Sequence, residues 1–391
     1  MNGPKPRSCL HLSPPDDGAA LSLFLLGSGI LDQYGVDADL PRPPKPTEYF
    51  QEPYVSLFDE PAYQGLTRLL TWLQIPGDLH ITQIMQRLRA VEASGALHHF
   101  TEDKATRGFA HFSASAVLKY YIKDVVSHCT RWLSDQTCPH IDAMVKDVVN
   151  KGDMIVNLNV DLAIEKSLEK LVDWSAMGGY GFPIDLQSQY KWEVRERIPK
   201  YDVALLKPWG SVNWHARLVQ HGSALGTPAT ELSQKETYSL TVETADEWTR
   251  QAQGVDSSIE RCKAFLEKLN DRPGNAVTVE MLKTSQTGPY VMSPPPVVPG
   301  VNPRSQTLDW RPLLTHHVRS VREIYACGLS FKEWELTDIL RLTARADATP
   351  RTINVVARSK EIATSAKEQF AELEHLTVNW IDGDLASLSS L

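Results

Sequence analysis

The sequence predicts an α/β fold, in which a doubly wound parallel sheet of about six strands carries an inserted helical module. Short, continuous apolar segments recur along the chain, as expected for strands that are buried on both faces of a parallel sheet. Between them lie longer segments whose apolar residues follow helical spacing, and this alternation is typical of doubly wound sheets. The six predicted strands are Leu21 to Leu26, Met154 to Leu158, Val203 to Leu206, Glu323 to Cys327, Thr352 to Val356 and Leu376 to Trp380.

The first strand and the helical module occupy the N-terminal part of the chain. Residues 1–20 are rich in Pro, Gly, Ser and Asp, and predict a flexible N-terminal segment. From about residue 61 the pattern is helical, and one apolar face comprises Leu66, Leu69, Leu70 and Leu73. We therefore assign residues 61–150 to a helical module inserted between the first and second strands. Residues 21–60 and 151–391 are assigned to the sheet domain.

The second half of the chain supplies the other strands and their helices. A helical segment from Leu162 to Val172 follows the second strand. Two later helices are marked by Trp334, Ile339 and Leu342 and by Ile362, Ala366, Phe370 and Leu373. The segment from Pro289 to Pro303 contains six prolines and predicts no regular structure. Residues 216–260 fit neither the strand pattern nor the helix pattern.

Composition narrows the class of protein. The chain has 391 residues, 42% of them hydrophobic, which is enough for one large domain or two fused domains. The net charge of −8 and the lack of Lys and Arg clusters argue against direct nucleic-acid binding, because phosphate contacts need such clusters. The apolar run from Leu23 to Leu26 is too short for a signal peptide, and no segment approaches the ~20 apolar residues of a membrane span. We therefore expect a cytoplasmic protein that does not bind membranes.

The cysteines favour a reduced, metal-free protein. There are five, an odd number, and none lies in a C-x-x-C pair, which is typical of cytosolic thiols. His128, Cys129, Cys138 and His140 could be grouped as a zinc site, but their spacing matches no standard zinc pattern. Cys129 also falls on the apolar face of a helix. We expect these residues to be structural, and no zinc to be bound.

A glycine turn follows the first strand. Gly27, Ser28 and Gly29 fit a phosphate-binding turn, because glycine lets the backbone approach a pyrophosphate and the next helix would present N–H groups to it. The third glycine of the usual dinucleotide fingerprint is missing. An ordinary strand exit is therefore the alternative interpretation.

Three other strand exits also carry small or polar residues. They are Asn159 and Asp161 after the second strand, Gly210 and Ser211 after the third, and Gly328 and Ser330 after the fourth. Because the carboxyl ends of parallel strands meet at one edge of a sheet, we expect these residues to line one crevice. For Asn159 and Asp161, capping of the following helix is the alternative.

Together these segments resemble the sirtuin-like family, in its bacterial branch rather than its histone-deacetylase branch. Leu25 to Gly29 is similar to the family's strand with Gly-Ala-Gly, and Asn157 to Asp161 with Glu165 to its Asn-Tyr-Asp segment and helix. The other matches are Leu206 to Trp214 for Lys-Leu-His-Gly-Ser-x-Asn-Trp, Ile324 to Phe331 for Gly-Tyr-Ser, and Ile353 to Val356 for the last nucleotide-facing strand. The resemblance spans roughly residues 21 to 385.

The resemblance implies a Rossmann-like sheet that binds NAD or an ADP-ribose-type nucleotide. In the bacterial branch it also implies cleavage of NAD to nicotinamide and ADP-ribose, often as an antiphage response. An Asn would hold the ribose and water while a His accepts a proton, and Asn159 matches that Asn. The nucleotide-binding residues implied are Gly27, Ser28, Gly29, Asn159, Trp209, Gly210, Ser211, Gly328, Ser330 and Val356.

The chain departs from the family pattern at three places along the ligand path. Trp209 occupies the position of the His base, and an indole N–H cannot accept a proton. Leu31 replaces a Ser after the glycine turn, and Ala357 replaces the Asp or Asn that binds the adenosine ribose. We therefore expect a catalytically impaired nucleotide-binding or scaffold subunit, a pseudoenzyme of a bacterial antiphage defence complex. A protein partner, homo-oligomerisation or both would complete it.

Other interpretations stay open at this point. His215 or Asp161 could serve as a relocated base, which would leave an active NAD hydrolase. Arg358 could bind a phosphate or be a solvated surface residue. Protein deacylation is disfavoured, because the paired zinc-binding cysteines of classical sirtuins are absent from the sequence.

Overall fold

The computed structural model describes residues 21–34, 40–99, 114–176, 179–180, 185–186, 202–220, 236–242, 289–291, 314, 317, 321–331, 350–371 and 375–390. The predicted N-terminal segment lies outside these residues, and so do the helix predicted at Trp334, Ile339 and Leu342 and most of residues 216–260.

Strands and helices are named here in chain order. The strands are β1 (Leu21–Leu26), β2 (Met154–Asn157), β3 (Asp185–Leu186), β4 (Ala204–Leu206), β5 (Gly210–Gln220), β6 (Glu236–Val242), β7 (Pro289–Val291), β8 (Val321–Cys327), β9 (Arg351–Ala357) and β10 (Leu376–Asp382). The α-helices are α1 (Pro61–Trp72), α2 (Ile81–Ser94), α3 (Ala114–Cys129), α4 (Pro139–Asp147), α5 (Ala163–Leu171) and α6 (Lys360–Phe370). Short 3₁₀ helices are Ser28–Gln33, Tyr54–Ser56, Ala96–His99, Arg131–Ser134 and Leu385–Ser390. Over the described ranges, no helix is long and apolar enough to cross a membrane.

Six strands form one parallel sheet in the order β10-β9-β8-β1-β2-β4, which confirms the predicted α/β, Rossmann-like fold class. Leu23 to Leu26 of the central strand β1 are at most 1% exposed, and β2 and β4 are buried throughout. Burial on both faces explains why the sequence is continuously apolar in these strands. At one edge, β10 instead mixes half-buried and exposed residues.

The chain divides into two compact units. The sheet unit comprises Met1–Gly35, Asp135–Trp209 and Thr307–Leu391, and contains the six-stranded sheet. The helical unit comprises Val36–Ser134 and Gly210–Gln306, and contains α1 to α3 and β5 to β7.

This division differs from the predicted domains in two respects. α4 belongs to the sheet unit rather than to the helical module, because it packs against α5 and the 3₁₀ helix Leu385–Ser390. Residues 210–306 belong to the helical unit, because β5 pairs antiparallel with β6 and β7 and packs against α3. Helical spacing predicts that a helix exists, but not which layer it joins.

The proline-rich segment is not wholly irregular, which corrects the prediction. Pro289 to Val291 form β7, in which Pro289 lies opposite His215 of β5. Proline is tolerated as the first residue of a strand. Residues 292–303 lie outside the described residues.

Asp153 holds the start of β2 against β1. Its Oδ1 accepts a hydrogen bond from the Ser22 N–H at 2.7 Å, and its Oδ2 accepts one from the Asn150 N–H at 2.8 Å. The residue is fully buried, and burial raises the pKa of its carboxyl to about 6 although the two backbone hydrogen bonds lower it. These bonds align the two strands whose other ends carry candidate site residues.

We expect protonation of Asp153 to stabilise the protein. Its folded pKa of about 6 lies above the ordinary 3.8, so the folded chain binds more protons in this window and stability rises as pH falls through it. From pH 7 to pH 5 the gain in the free energy of unfolding is about 1 kcal/mol, relative to an Asp153→Asn variant that has no titrating group here. Urea denaturation of both proteins at each pH measures the gain. A difference between them that stays constant with pH would contradict the assignment.

Candidate functional site

The strand order reverses at the centre of the six-stranded sheet. From β1 the chain continues to β2 and β4 on one side, and from β8 to β9 and β10 on the other. Between the carboxyl ends of β1 and β8 lies the topological switch point, where open parallel sheets bind ligands. Gly27, Ser28 and Gly29 follow β1 and Gly328 follows β8, so the structure brings these predicted residues together.

The two glycine segments are in direct backbone contact. The Gly27 N–H donates to Cys327 O at 2.9 Å, and the Gly29 N–H donates to Gly328 O at 2.8 Å. A Cβ on Gly27 would lie 2.4 Å from Gly328 O, and one on Gly29 would lie 2.7 Å from Gly328 Cα. The glycines therefore permit a close approach of two strand exits. Their two N–H groups are occupied, so these donors are not open to a phosphate in this arrangement.

A 3₁₀ helix, Ser28–Gln33, rather than an α-helix, begins within the glycine turn. It spans six residues, and the helix dipole that attracts anions grows from the alignment of many peptide groups. Leu31 is 3% exposed and belongs to the core. The turn is a packing junction, and phosphate binding at it stays a prediction.

Asn159 reaches from the exit of β2 to the exit of β1. Its Nδ2 donates to Gly27 O at 3.1 Å, and its backbone N–H donates to Asn157 Oδ1 at 3.0 Å. Asn157 is fully buried, and among the described residues its Nδ2 has no hydrogen-bond partner. A buried, unsatisfied amide costs about 1–3 kcal/mol. The two asparagines thus place polar groups beside the switch point.

Asp161 is held by two hydrogen bonds at the start of α5. Its Oδ1 accepts from the Ala163 N–H at 2.9 Å and from the Tyr34 hydroxyl at 2.9 Å. The first bond satisfies a backbone N–H at the start of the helix, but the N-cap residue itself is Leu162, which makes no side-chain capping bond. The pKa of Tyr34 is raised by burial and by the charge of Asp161. Both bonds are made to Oδ1, and Asp161 is only 2% exposed, which restricts the access of a substrate to this carboxylate.

A buried ion pair joins the exit of β4 to α5. Lys207 Nζ lies 2.6 Å from Glu165 Oε1, and the two side chains are 0% and 1% exposed. Lys207 Nζ also donates to the backbone oxygen of Asp161, and the Tyr180 hydroxyl donates to Glu165 Oε1 at 2.9 Å. Burial raises the pKa of Glu165, while the positive charge of Lys207 opposes that shift. This pair fixes the relative positions of the second and third strand exits.

The sequence contains a signal for the buried pair of Lys207 and Glu165. Lys207 directly follows the buried strand β4, and Glu165 lies between Ile164 and Leu168 on the buried side of α5. A charged residue inside an apolar pattern is almost never fully buried unless it is paired. Each of the two residues therefore predicts a buried charge that needs a partner, but the sequence does not show that they are partners of each other.

The other candidate residues of the sheet unit differ in exposure. Trp209 is 4% exposed. Val356 and Ala357 end β9 and are buried, whereas Ser330 is exposed. Arg358 is bound to Asp384 at 2.9 Å with its own side chain 74% exposed, so the structure gives it the surroundings of a surface residue.

Gly210 and Ser211 do not lie in a strand exit, which corrects the prediction. The third strand of the parallel sheet ends at Leu206, and Gly210 begins the long strand β5. Residues 211–214 of β5 are at most 1% exposed, so this part of the strand is buried on both faces.

His215 also lies in β5, opposite Thr241. Together with Gly210 and Ser211 it belongs to the helical unit. The side chain of His215 lies outside what the structure describes. Its role as a relocated base stays a prediction.

Cys129 and His128, two of the four residues that could be grouped as a zinc site, have the surroundings of structural residues. Within the described ranges, no three His, Cys, Asp or Glu side chains come together as a metal site. Cys129 is buried in α3, and burial raises the pKa of its thiol to about 12, whereas zinc binds the thiolate. The ring of His128 packs edge-on against Phe58.

The chain has no match among protein-family models and none among curated proteins. The sirtuin-like resemblance therefore rests on the segments quoted above.

Proposed function

We propose that the sheet unit is a nucleotide-binding module, for NAD or an ADP-ribose-type molecule, that does not hydrolyse its ligand at an enzymatic rate. The strand order supports binding, because dinucleotides bind at the switch point of such sheets. The exit of β2 supplies Asn159 there, beside the exit of β1. The resemblance to sirtuin-like proteins supplies the nucleotide class.

The acid–base groups described at these strand exits are engaged in internal bonds, which supports the proposal of impaired chemistry. Asp161 accepts from Tyr34 and Ala163, and Lys207 is paired with Glu165. The position of the family's base holds Trp209, whose indole cannot accept a proton. A missing base typically costs ~100- to 10,000-fold in rate, so slow residual turnover is compatible with the proposal.

Proton NMR of the purified protein with NAD tests binding and hydrolysis in one sample. We expect NAD resonances to broaden and free nicotinamide to stay near background over several hours. Asn159→Ala should reduce the broadening, because the variant removes the carboxamide beside the switch point. Asn150→Ala replaces an exposed asparagine and should behave as the wild type.

Two results would count against the proposal. Nicotinamide release that disappears in Asn159→Ala would mean an active NAD hydrolase, and its base would then be sought at His215 or Asp161. An absence of both broadening and release would mean a scaffold that does not bind this nucleotide.

The resemblance extends the proposal to a role in a bacterial antiphage defence complex, in which a partner protein acts as sensor or effector. We expect the tagged chain to capture such a partner in constant proportion from its native host. A chain recovered without a partner, both before and after phage challenge, would contradict this role.

A further inference from the structure

β10 is an edge strand with a long, regular outer side. Within the described part of the chain, no strand pairs with that side. On its inner side β10 pairs with β9 in unbroken register over seven residues. The opposite edge strand, β4, has only three residues, and all are buried. β10 therefore presents a row of backbone N–H and C=O groups that can accept another strand.

β10 lacks the features by which proteins usually protect an edge strand. Leu376–Asp382 contains no proline, no lysine and no bulge. Its β-branched and aromatic residues, Thr377, Val378, Trp380 and Ile381, favour strand pairing. Its one charged residue, Asp382, lies at the end of the strand.

Trp380 is held in place although it is 37% exposed. Its Nε1–H donates to Ala357 O at 2.9 Å, and Lys360 Nζ lies 5.9 Å from the centre of its ring. An exposed tryptophan whose rotamer is already fixed loses little entropy on binding. Such aromatic side chains are typical anchors of protein–protein interfaces.

A cleft of about 540 Å³ reaches the same strand. Tyr325 of β8, Asn354 of β9 and Lys367 of α6 line it together with Val378, Asn379, Trp380 and Ile381 of β10. The cleft therefore crosses the three strands at this end of the sheet and leaves these side chains of β10 open from that face.

We propose that β10 pairs antiparallel with β10 of a second copy of this chain, which joins two six-stranded sheets into one. The strand is complementary to itself about Asn379. In this register Val378 faces the partner's Trp380, and Trp380 faces the partner's Val378, two aromatic–β-branched pairs that favour a sheet.

The remaining pairs in this register are also compatible. Thr377 faces the partner's Ile381, Leu376 faces the partner's Asp382, and no like charges meet. The same patch serves both subunits, as a closed two-fold dimer requires. The inference is independent of nucleotide binding, because it uses the edge of the sheet and not its strand exits.

Sedimentation velocity of the full chain tests the proposal. We expect the wild type to sediment as a dimer. Asn379→Lys should weaken the dimer at least tenfold in Kd, because two lysines would then face each other on the two-fold axis. Thr364→Lys introduces the same charge at an exposed position of α6 and should leave the dimer intact.

A charge-swap experiment separates loss of pairing from loss of folding. Asn379→Glu should also be monomeric, but an equimolar mixture of the Lys and Glu variants should recover the dimer. A misfolded variant would not recover. The proposal is overturned by a monomeric wild type, by a dimer that survives Asn379→Lys, or by a mixture that stays monomeric.

Discussion

Replacing Lys207 with methionine is expected to lower the free energy of unfolding by about 3–5 kcal/mol. The substitution leaves the carboxylate of Glu165 buried without its cation, and the side chain of Glu165 is only 1% exposed, so water cannot replace the lost charge. The variant also removes the donor to the backbone oxygen of Asp161. Urea unfolding followed by circular dichroism measures the loss.

Two further variants test whether burial is the cause. Lys170 pairs with Asp142 at 3.2 Å, but its side chain is 56% exposed, so Lys170→Met should cost at most about 1 kcal/mol. The double variant Lys207→Met, Glu165→Leu should recover part of the loss, because apolar residues of similar volume can replace a buried pair. If Lys207→Met costs no more than Lys170→Met, the pair is not buried as described.

Gly328→Ala is expected to destabilise the protein by about 2–5 kcal/mol, through two separate terms. Gly328 has a φ of +66°, a left-handed conformation that costs a side-chain-bearing residue about 1–2 kcal/mol. The new Cβ would also lie 2.5 Å from the Ile30 N, and such overpacking costs about 1–3 kcal/mol. Thermal and urea unfolding of the variant would show the loss.

Gly95 provides a control for the backbone term. It has a φ of 72° at the C-terminal end of α2, so Gly95→Ala should cost only the left-handed term of about 1–2 kcal/mol. Equal losses in the two variants would mean that the contact between the exits of β1 and β8 is looser than described.

The strands of the parallel sheet could be predicted because burial on both faces leaves a local record in the sequence. β1 is predicted over Leu21 to Leu26 and observed over the same residues. β2 and β9 are each recognised to within one residue at either end. The helices between β1 and β2 could also be predicted, because the apolar face of each helix repeats along its sequence.

The strand β5 could not be predicted from its neighbours in sequence. Lys207 to Ser211 contains a proline and a glycine, which predict a strand exit, yet Gly210 begins a new strand. Its pairing partners, β6 and β7, lie far along the chain. Strand pairing at long range overrides local turn propensity.

By itself, the sequence determined the α/β class, the six parallel strands and the helices between the first two, because these depend on periodicities that each segment carries alone. Only the tertiary structure decided how the strand exits are used. It shows that the glycine turn packs on Gly328, that Asn159 donates to the first strand exit, and that Lys207 pairs with Glu165. These contacts join residues that are distant in sequence, and no local pattern specifies which of them will meet.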